Sequence, residues 1–351
     1  MPMEPRLDTA SIEKLIARGA SPGLALVVSS PEDRFEFASG AYSDTDRREV
    51  GTHTPYDIAS ITKLFTAALI LRLRDAGSLG LGDRMGRFLP NFAESSITVA
   101  DMLTHHARLL SAPLSKLAIG APNVEALAEL IAVPASASDH FFYQNATFLF
   151  LGMLVSKLRC ESLADCMTDL FSELGLNETF IGSDPRIDAP PTEIRNSAEW
   201  VNRTHDESSY ICGGVTGYAG IFSSANDLAK FGRAWLDFKI ASPATTKEAF
   251  TCRSNFPGEE QGLGWFNSLP HFPIFPERLF CHSGYTGPLL AVNPEKGRVY
   301  AMTQNRAYYG RDNQLYRELW AWLLEDELRE AMTMPSFIRR LKLNLERYVK
   351  K

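Results

Sequence analysis

The chain has 351 residues, of which 45% are hydrophobic and 22% are charged, and its formal net charge is −6 at pH 7. The length exceeds that at which one hydrophobic core usually stops growing, so one large domain or two lobes are expected. The composition is ordinary for a globular enzyme, and the negative charge argues against nucleic acid as a general partner. Five scattered cysteines without a CxxC pair predict reduced thiols and no structural zinc.

Targeting signals are not evident in this sequence. The N-terminal stretch MPMEPRLDTASIEK has no basic region followed by an apolar run, as a signal peptide would. The longest strongly apolar run, from Leu64 to Leu71, is too short to cross a bilayer. We therefore expect a cytoplasmic protein without a membrane span, or a periplasmic or secreted one if a leader was removed.

The first predicted elements are a helix and a hairpin. Residues 8–18 have the pattern of an amphipathic helix, which Gly19 ends. The apolar run GLALVVS at 23–29 predicts a buried strand, and the alternating residues 34–39 predict a second strand after a short turn. The two strands should form a hairpin.

The next element is a helix over residues 58–74, IASITKLFTAALILRLR, which is apolar on nearly every side and so belongs in the interior. Ser60 and Lys63 stand near its start, and a spacing of three places their side chains on one face, about 5–6 Å apart at Cβ. Unpaired N–H groups and the helix dipole favour negative charge there, which suits a nucleophilic serine. The Ser-x-x-Lys pattern is weak, however, because Ser11 and Lys14 repeat it on the first, amphipathic helix.

The hydrophobic pattern changes in the middle of the chain, where helical periodicity is abundant and strand-like alternation is scarce. We predict a helical lobe over residues 79–202, inserted into an α/β body of residues 1–78 and 203–334. The helices predicted inside this lobe cover residues 98–105, 124–132, 145–158 and 163–174.

Strands return near the C-terminus, at 278–282, 289–293 and 298–304, and an apolar helix follows at 313–327. The front hairpin and these late strands should share one antiparallel sheet flanked by helices. Residues 335–351 predict a basic amphipathic extension after Pro335, which we expect to pack on the body or on a second subunit of a homo-oligomer.

Two further motifs combine polar side chains with turns. Tyr143 and Asn145 place a phenol and a carboxamide at a loop-to-helix corner, although Asn145 alone would be interpreted as an N-cap. His282, Ser283 and Gly284 end a predicted strand, which alone would indicate only a turn through glycines that permit close backbone approach.

Other polar segments were assigned structural roles. The glycine-rich loop 213–220 lacks the residues of a phosphate cradle, and His205 with Asp206 just upstream would orient it. His105 and His106 are adjacent, so both cannot face one ligand from a helix, and we interpret them as surface or capping residues rather than a metal site.

The segments SITK at 60–63, YQN at 143–145 and HSG at 282–284 resemble, in this order, the three motifs of the serine β-lactamase and penicillin-binding protein superfamily. The resemblance is strongest to class C β-lactamases, DD-peptidases and β-lactamase-like esterases. It extends from about residue 10 to about residue 328. Supporting segments are SPGLALVVSS, TVADMLTHH, THDESSYICGGVTGYAGIFSSANDLAKF, QGLGWF and CHSGYTGPLLAVNP.

This resemblance implies a β-lactamase/DD-peptidase-like fold and a catalytic assignment. Ser60 would be the acylated nucleophile, and Lys63 and Tyr143 would form its base system. The reference pKa values of these two groups, near 10.4 and 10, lie about three units above neutrality. Burial and mutual contact would lower them as a coupled pair, so the choice of base stays open.

The resemblance also implies binding roles. The backbone N–H groups of Ser60 and Tyr285 would form the oxyanion hole, and the substrate would contact Asn145, His282, Ser283 and Gly284. Many relatives carry lysine in place of His282 to hold a carboxylate, and an imidazole is at most partly charged at neutral pH. Arg306 is a candidate to supply that charge instead. The turn at 104–108 also lacks the glycine that relatives often have.

These features predict a serine hydrolase that works without a metal or cofactor, through a Ser60 acyl-enzyme, on small-molecule esters or amides. An esterase or D-amino-acid peptidase with at most weak β-lactam turnover is the leading interpretation. A true class C-like β-lactamase and an acyltransferase are the alternatives within the superfamily. A non-catalytic binding or assembly module with the same fold is the alternative from another class.

Overall fold

The computed structural model describes residues 9–121, 123–253, 261–267 and 278–332, with no side-chain detail for residues 330–332. The basic extension predicted at 335–351 lies outside the described residues and stays a prediction. Among the described helices, none combines the length and apolar character needed to cross a membrane.

A five-stranded antiparallel sheet forms the centre of the fold, and its strands come from both ends of the described chain. The front hairpin pairs with the late strands in the register Leu24 opposite Gln304 through Ser29 opposite Val299. The predicted antiparallel sheet is thereby confirmed. From one edge to the other, the strands are Arg34–Gly40, Gly23–Ser29, Arg298–Gln304, Leu289–Asn293 and Phe280–Ser283.

The strand Gly23–Ser29 is buried along its whole length because helices cover both faces of the sheet. Alternate side chains of a strand point to opposite faces. Accordingly, Val27 packs in the same core as the helix Ala225–Leu236, whereas Leu26 packs with the helices Thr9–Ala17 and Tyr316–Leu323. The continuous apolar run in the sequence follows from this double coverage.

The central helix covers Thr62–Asp75, and every residue from Thr62 to Leu71 is buried. It begins later than predicted, because Ala59–Ile61 form a separate 3-10 turn. Phe65 stacks on Phe231 with ring centroids 3.9 Å apart. Ser60 therefore lies in a tight turn immediately before the buried helix.

The longer described elements of the region 79–202 are helices, and a short strand of this region also pairs with a later strand of the chain. Its short strand Phe180–Ile181 pairs with Ile221–Ser223, which in turn pairs with Tyr56–Asp57. The division of the chain into a body and a lobe stays a prediction. The α-helices in this region are Val99–Leu103, Leu114–Ala118, Val124–Glu129, Asn145–Arg159 and Leu163–Leu174.

The remaining elements complete the two layers around the sheet. The apolar helix predicted at 313–327 is divided into Tyr316–Leu323 and Glu325–Met332. The other described elements are the helices Glu207–Ile211 and Pro243–Ala249, the 3-10 turns Met85–Arg87, Pro90–Phe92 and Arg306–Tyr309, and the strands Ile194–Arg195 and Ala198–Glu199.

Candidate active site

The turn that carries Ser60 is held in an uncommon conformation. Ala59 has a φ of 45°, in the left-handed region that costs a non-glycine residue about 1–3 kcal/mol. The buried carboxylate of Asp57 accepts hydrogen bonds from the Ala59 N–H at 2.8 Å and the His205 N–H at 2.6 Å. These bonds fix the backbone on the N-terminal side of Ser60.

The end of the strand Phe280–Ser283 lies against this turn. A Cβ atom at Gly284 would stand 2.5 Å from the Ile58 carbonyl oxygen, so only glycine fits there. The Thr286 hydroxyl donates a hydrogen bond to the Asp57 carbonyl at 2.7 Å. This close approach places Ser60 and Tyr285 on the wall of one cavity, which supports the predicted pairing of their N–H groups.

Lys63 connects the polar groups of the site. Its Nζ lies 3.0 Å from Ser60 Oγ, 2.9 Å from Tyr143 Oη and 2.9 Å from Asn145 Oδ1. A fourth contact, 3.3 Å to the Tyr218 carbonyl oxygen, comes from the glycine-rich loop. The structure thus brings together four side chains that the motifs predicted, and adds one backbone carbonyl that they did not.

Asn145 does not cap its helix. The N-cap position is Gln144, and no side chain caps the first turn. The N-cap interpretation of Asn145 is therefore wrong. The Gln144 side chain instead exchanges two hydrogen bonds with the Leu109 backbone, each 2.8 Å long, so that Asn145 can turn towards Lys63.

Burial shifts the pKa values of the two candidate bases in opposite directions. It disfavours the charged form of each group, so the pKa of Lys63 falls to about 7, although the nearby Asp206 carboxylate partly opposes this shift. Tyr143 is 43% exposed as a whole, but its hydroxyl lies at the buried end next to Lys63, and burial raises the pKa of that phenol, partly opposed by a hydrogen bond to Ser60. Near pH 7 the amine loses its proton while the phenol keeps its own.

The hydrogen-bond partners of Lys63 determine where its lone pair points. A neutral amine has two N–H bonds and one lone pair, whereas the ammonium form has three N–H donors. The carbonyl oxygens of Asn145 and Tyr218 can only accept, so they take the two N–H bonds. The lone pair is then left for the hydroxyls of Ser60 and Tyr143, and it can remove the proton from Ser60 Oγ.

His282 is buried at the end of the strand Phe280–Ser283, beside Phe266. Its imidazole is fully buried, stacks on Phe266 with ring centroids 4.4 Å apart, and places Nδ1 3.0 Å from the Ser283 carbonyl oxygen. Burial, and then the positive charge of Lys63, lower its pKa to about 3. The imidazole is therefore neutral at pH 7, which lies within the expectation of at most a partial charge, and the cavity wall next to Ser60 is formed by Ser283 and Gly284 rather than by His282.

His105 is also buried, so its assignment as a surface residue is wrong. It is 1% exposed, has a φ of 57°, and its ring packs 4.8 Å from that of Tyr143. Its Nδ1 accepts a hydrogen bond of 3.3 Å from the Gln144 N–H. His105 adopts this left-handed conformation just after the helix Val99–Leu103 ends, and its ring supports that of Tyr143 from behind.

Arg306 lies in the cavity wall and is only 6% exposed. Its Nε donates to the Tyr285 carbonyl at 2.7 Å, and Nη1 donates to the carbonyls of Arg311 and Asn313. The guanidinium lies 4.6 Å from the ring centroids of both Tyr285 and Tyr316. The two N–H bonds at Nη2 have no partner among the described residues, so one edge of the guanidinium is left for an anion.

The cavity has a volume of about 570 Å³. Its wall includes Asp206, which accepts a 3.0 Å hydrogen bond from the Tyr218 hydroxyl and thereby orients the glycine-rich loop. The same loop is tied to the central helix by a 2.7 Å bond from the Thr66 hydroxyl to the Gly217 carbonyl. Sequence reasoning had linked Asp206 to this loop but had not placed it near Lys63. In the described part of the chain, His, Cys, Asp and Glu side chains form no group of three or more suited to a metal ion.

Comparisons with known proteins support the same family. Penicillin-binding protein 4* of Bacillus subtilis (strain 168) is 25% identical over 284 residues, which cover 75% of this chain and 62% of that protein. The chain thus spans less than two thirds of that relative. A putative D-alanyl-D-alanine carboxypeptidase of Escherichia coli (strain K12) is 25% identical over 308 residues, covering 73% of this chain and 70% of the relative.

Solved structures share the fold. A class C beta lactamase from Rhodobacter sphaeroides superposes with a TM-score of 0.72 at 20% identity, covering 94% of this chain and 100% of that one. The octameric penicillin-binding protein homologue from Pyrococcus abyssi gives a TM-score of 0.73 at 22% identity, covering 90% and 76% respectively. A family model described as Beta-lactamase matches residues 9–321. The chain therefore belongs to the Beta-lactamase family.

Proposed function

We propose that the chain hydrolyses small esters or amides through an acyl-enzyme on Ser60, as an esterase or a D-amino-acid peptidase. The observation that carries this proposal is the buried amine of Lys63, 3.0 Å from Ser60 Oγ and 2.9 Å from Tyr143 Oη. A serine hydroxyl is a weak nucleophile until a base removes its proton. A lysine with a pKa of about 7 supplies such a base near neutral pH.

Acylation follows from this geometry. The neutral Lys63 amine takes the Ser60 proton as Oγ forms a bond to the substrate carbonyl carbon, and the N–H groups of Ser60 and Tyr285 stabilise the oxyanion. The bond to the leaving group then breaks, and the leaving group receives the proton from Lys63, either directly or through the Tyr143 hydroxyl. In deacylation, the Lys63 amine takes a proton from water as the water oxygen bonds to the acyl carbon. The bond from that carbon to Ser60 Oγ then breaks, Oγ receives the proton from Lys63, and the acid is released.

Substrate charge separates the candidate activities. The neutral His282 offers no charge to a carboxylate, which favours neutral substrates. The free Nη2 edge of Arg306 supports the second candidate, a carboxypeptidase or β-lactamase acting on an anion, because a hydrogen bond between charged groups contributes about 1.5–3 kcal/mol. The relative named as a putative D-alanyl-D-alanine carboxypeptidase supports the peptidase form.

The octameric homologue supports a homo-oligomer, which light scattering of the full chain would test.

The nucleophile is tested with an activity-based label. We expect a fluorophosphonate to add once to the wild-type chain in intact-mass spectra. Ser60→Ala should lose this adduct and reduce kcat/KM for p-nitrophenyl butyrate by roughly 10³-fold or more. Ser11→Ala, the matched control from the second Ser-x-x-Lys pattern, should keep both. An adduct that persists in Ser60→Ala would refute the assignment.

A further inference from the structure

Gln261 is a buried residue in the wall of the same cavity, and the catalytic assignment does not use it. It is only 2% exposed, and its Oε1 has no hydrogen-bond partner among the described residues. Its backbone is well ordered by pairing, because its N–H and carbonyl both bond to Arg253. The unpartnered atom is therefore Oε1 of the side chain.

A buried side-chain oxygen without a hydrogen-bond partner is unfavourable in the unliganded protein. A buried polar group without a partner loses the hydrogen bonds that water gave it, and such groups are rare in folded proteins. A methionine of similar shape would fill this wall without that cost. Neither packing nor backbone capping explains a glutamine here, whereas a ligand that completes its hydrogen bonds does.

The position of Gln261 indicates which part of a substrate it would meet. Gln261 pairs in an antiparallel bridge with Phe266, which itself pairs with Cys281 on the edge strand of the sheet. Residues opposite each other in such a pair extend their side chains from the same face, and both Gln261 and Phe266 line the cavity. The Phe266 ring lies 5.6 Å from the ring of Tyr143. The wall formed by Phe266 and Gln261 therefore borders the place where Tyr143 meets the leaving group.

We propose that Gln261 is a specificity-determining residue that hydrogen-bonds a secondary amide in the leaving group of the substrate. Such an amide offers an N–H donor for Oε1, which a simple alcohol or ester leaving group lacks. Rotation about the last side-chain torsion of glutamine is broad, so the carboxamide can turn its oxygen towards the cavity. This inference rests on the proposed function and narrows it to substrates whose leaving group contains a peptide-like N–H.

Two esters that differ in one atom test the proposal. The phenylacetyl esters of N-methylglycolamide and of methyl glycolate present N–H and O, respectively, at the same position of the leaving group. Both give the same phenylacetyl acyl-enzyme, so deacylation is common to them and any selectivity arises during acylation. We expect the wild type to prefer the glycolamide ester in kcat/KM, and Gln261→Met to lower that preference about tenfold.

Control measurements separate this role from a structural one. Gln314→Met changes an exposed glutamine that bonds to the Asp312 carbonyl, and it should keep the wild-type preference. The unliganded Gln261→Met protein should melt at or above the wild-type temperature, because an unsatisfied polar group is removed. The proposal would be overturned if Gln261→Met kept the wild-type preference between the two esters. That holds whether the rates on both esters stay the same or fall equally, and whether or not the melting temperature falls. A failure of the proposed function is distinguishable, because the wild type would then hydrolyse neither ester, or Ser60→Ala would hydrolyse both at the wild-type rate.

Discussion

Lys63 and His282 are both fully buried bases close to Tyr143, yet burial leaves them with different protonation near pH 7. Burial lowers the pKa of Lys63 to about 7 and that of His282 to about 3. Lys63 has four oxygen atoms within 3.3 Å and the Asp206 carboxylate nearby, which favour its charged form. His282 stacks on Phe266, and its Nε2 has no hydrogen-bond partner among the described residues. Burial lowers both pKa values from their ordinary values, 10.5 for the amine and 6.5 for the imidazole, so the amine titrates near neutrality while the imidazole stays neutral there.

The largest effect that this comparison predicts is for a lysine that cannot lose its proton. Lys63→Arg should keep the positive charge but abolish the base, because a guanidinium is not deprotonated in proteins. We expect kcat/KM for p-nitrophenyl butyrate to fall by roughly 10²–10⁴-fold, measured by initial rates at pH 7.5. Lys14→Arg, from the second Ser-x-x-Lys pattern, serves as control. Retention of a tenth of wild-type activity in Lys63→Arg would show that another group is the base.

A smaller loss is expected for Tyr143→Phe. The ring, and its packing on His105 and Phe266, should be kept while the hydroxyl that contacts Lys63 is removed. We expect kcat/KM to fall about 10²-fold because proton transfer to the leaving group is slowed. The loss should be smaller for esters with good leaving groups, such as p-nitrophenol, than for alkyl esters. Equal losses on both ester types would contradict the role of Tyr143 in returning the proton.

The pH dependence should report Lys63. Its neutral form is the active one, so kcat/KM should rise with pH through an apparent pKa of about 7 and level off above it. Burial also raises the pKa of Asp57. We do not expect this carboxyl to set the rate profile, because it holds the Ser60 turn and takes no part in the proton transfer. Asp206→Asn removes the carboxylate that opposes the shift in Lys63, so the apparent pKa should move to lower pH. A rate profile that is flat from pH 6 to 8, or a shift upwards in Asp206→Asn, would show that another group controls the rate.

The smallest effect concerns substrate charge. Because the pKa of His282 is about 3, this imidazole gains no charge between pH 6 and 8. The ratio of kcat/KM for nitrocefin, an anion, to that for p-nitrophenyl butyrate should then stay constant, within about twofold, over this range. A ratio that rises towards pH 6 in the wild type, and no longer does so in His282→Phe, would mean that His282 is protonated and holds the carboxylate.

Much of the fold was predictable because it depends on local periodicity. The run GLALVVS and the helix after Ser60 are apolar throughout, which indicates burial on all sides, and both are buried in the structure. The pairing of the front hairpin with the late strands was inferred from the same patterns and is confirmed. The boundaries were less predictable, since the 3-10 turn Ala59–Ile61 depends on the Asp57 carboxyl, which accepts hydrogen bonds from the Ala59 N–H and from the distant His205 N–H.

The sequence by itself determined which chemical groups are present and in what order, because the family motifs are contiguous in the chain. Only the tertiary structure decided their protonation and accessibility. The sequence does not reveal whether a histidine is exposed or buried. His105 and His282 are buried against the rings of Tyr143 and Phe266, respectively. The pKa of Lys63 likewise depends on desolvation and on an aspartate 143 positions away in the chain, since charges act through space and not along the sequence.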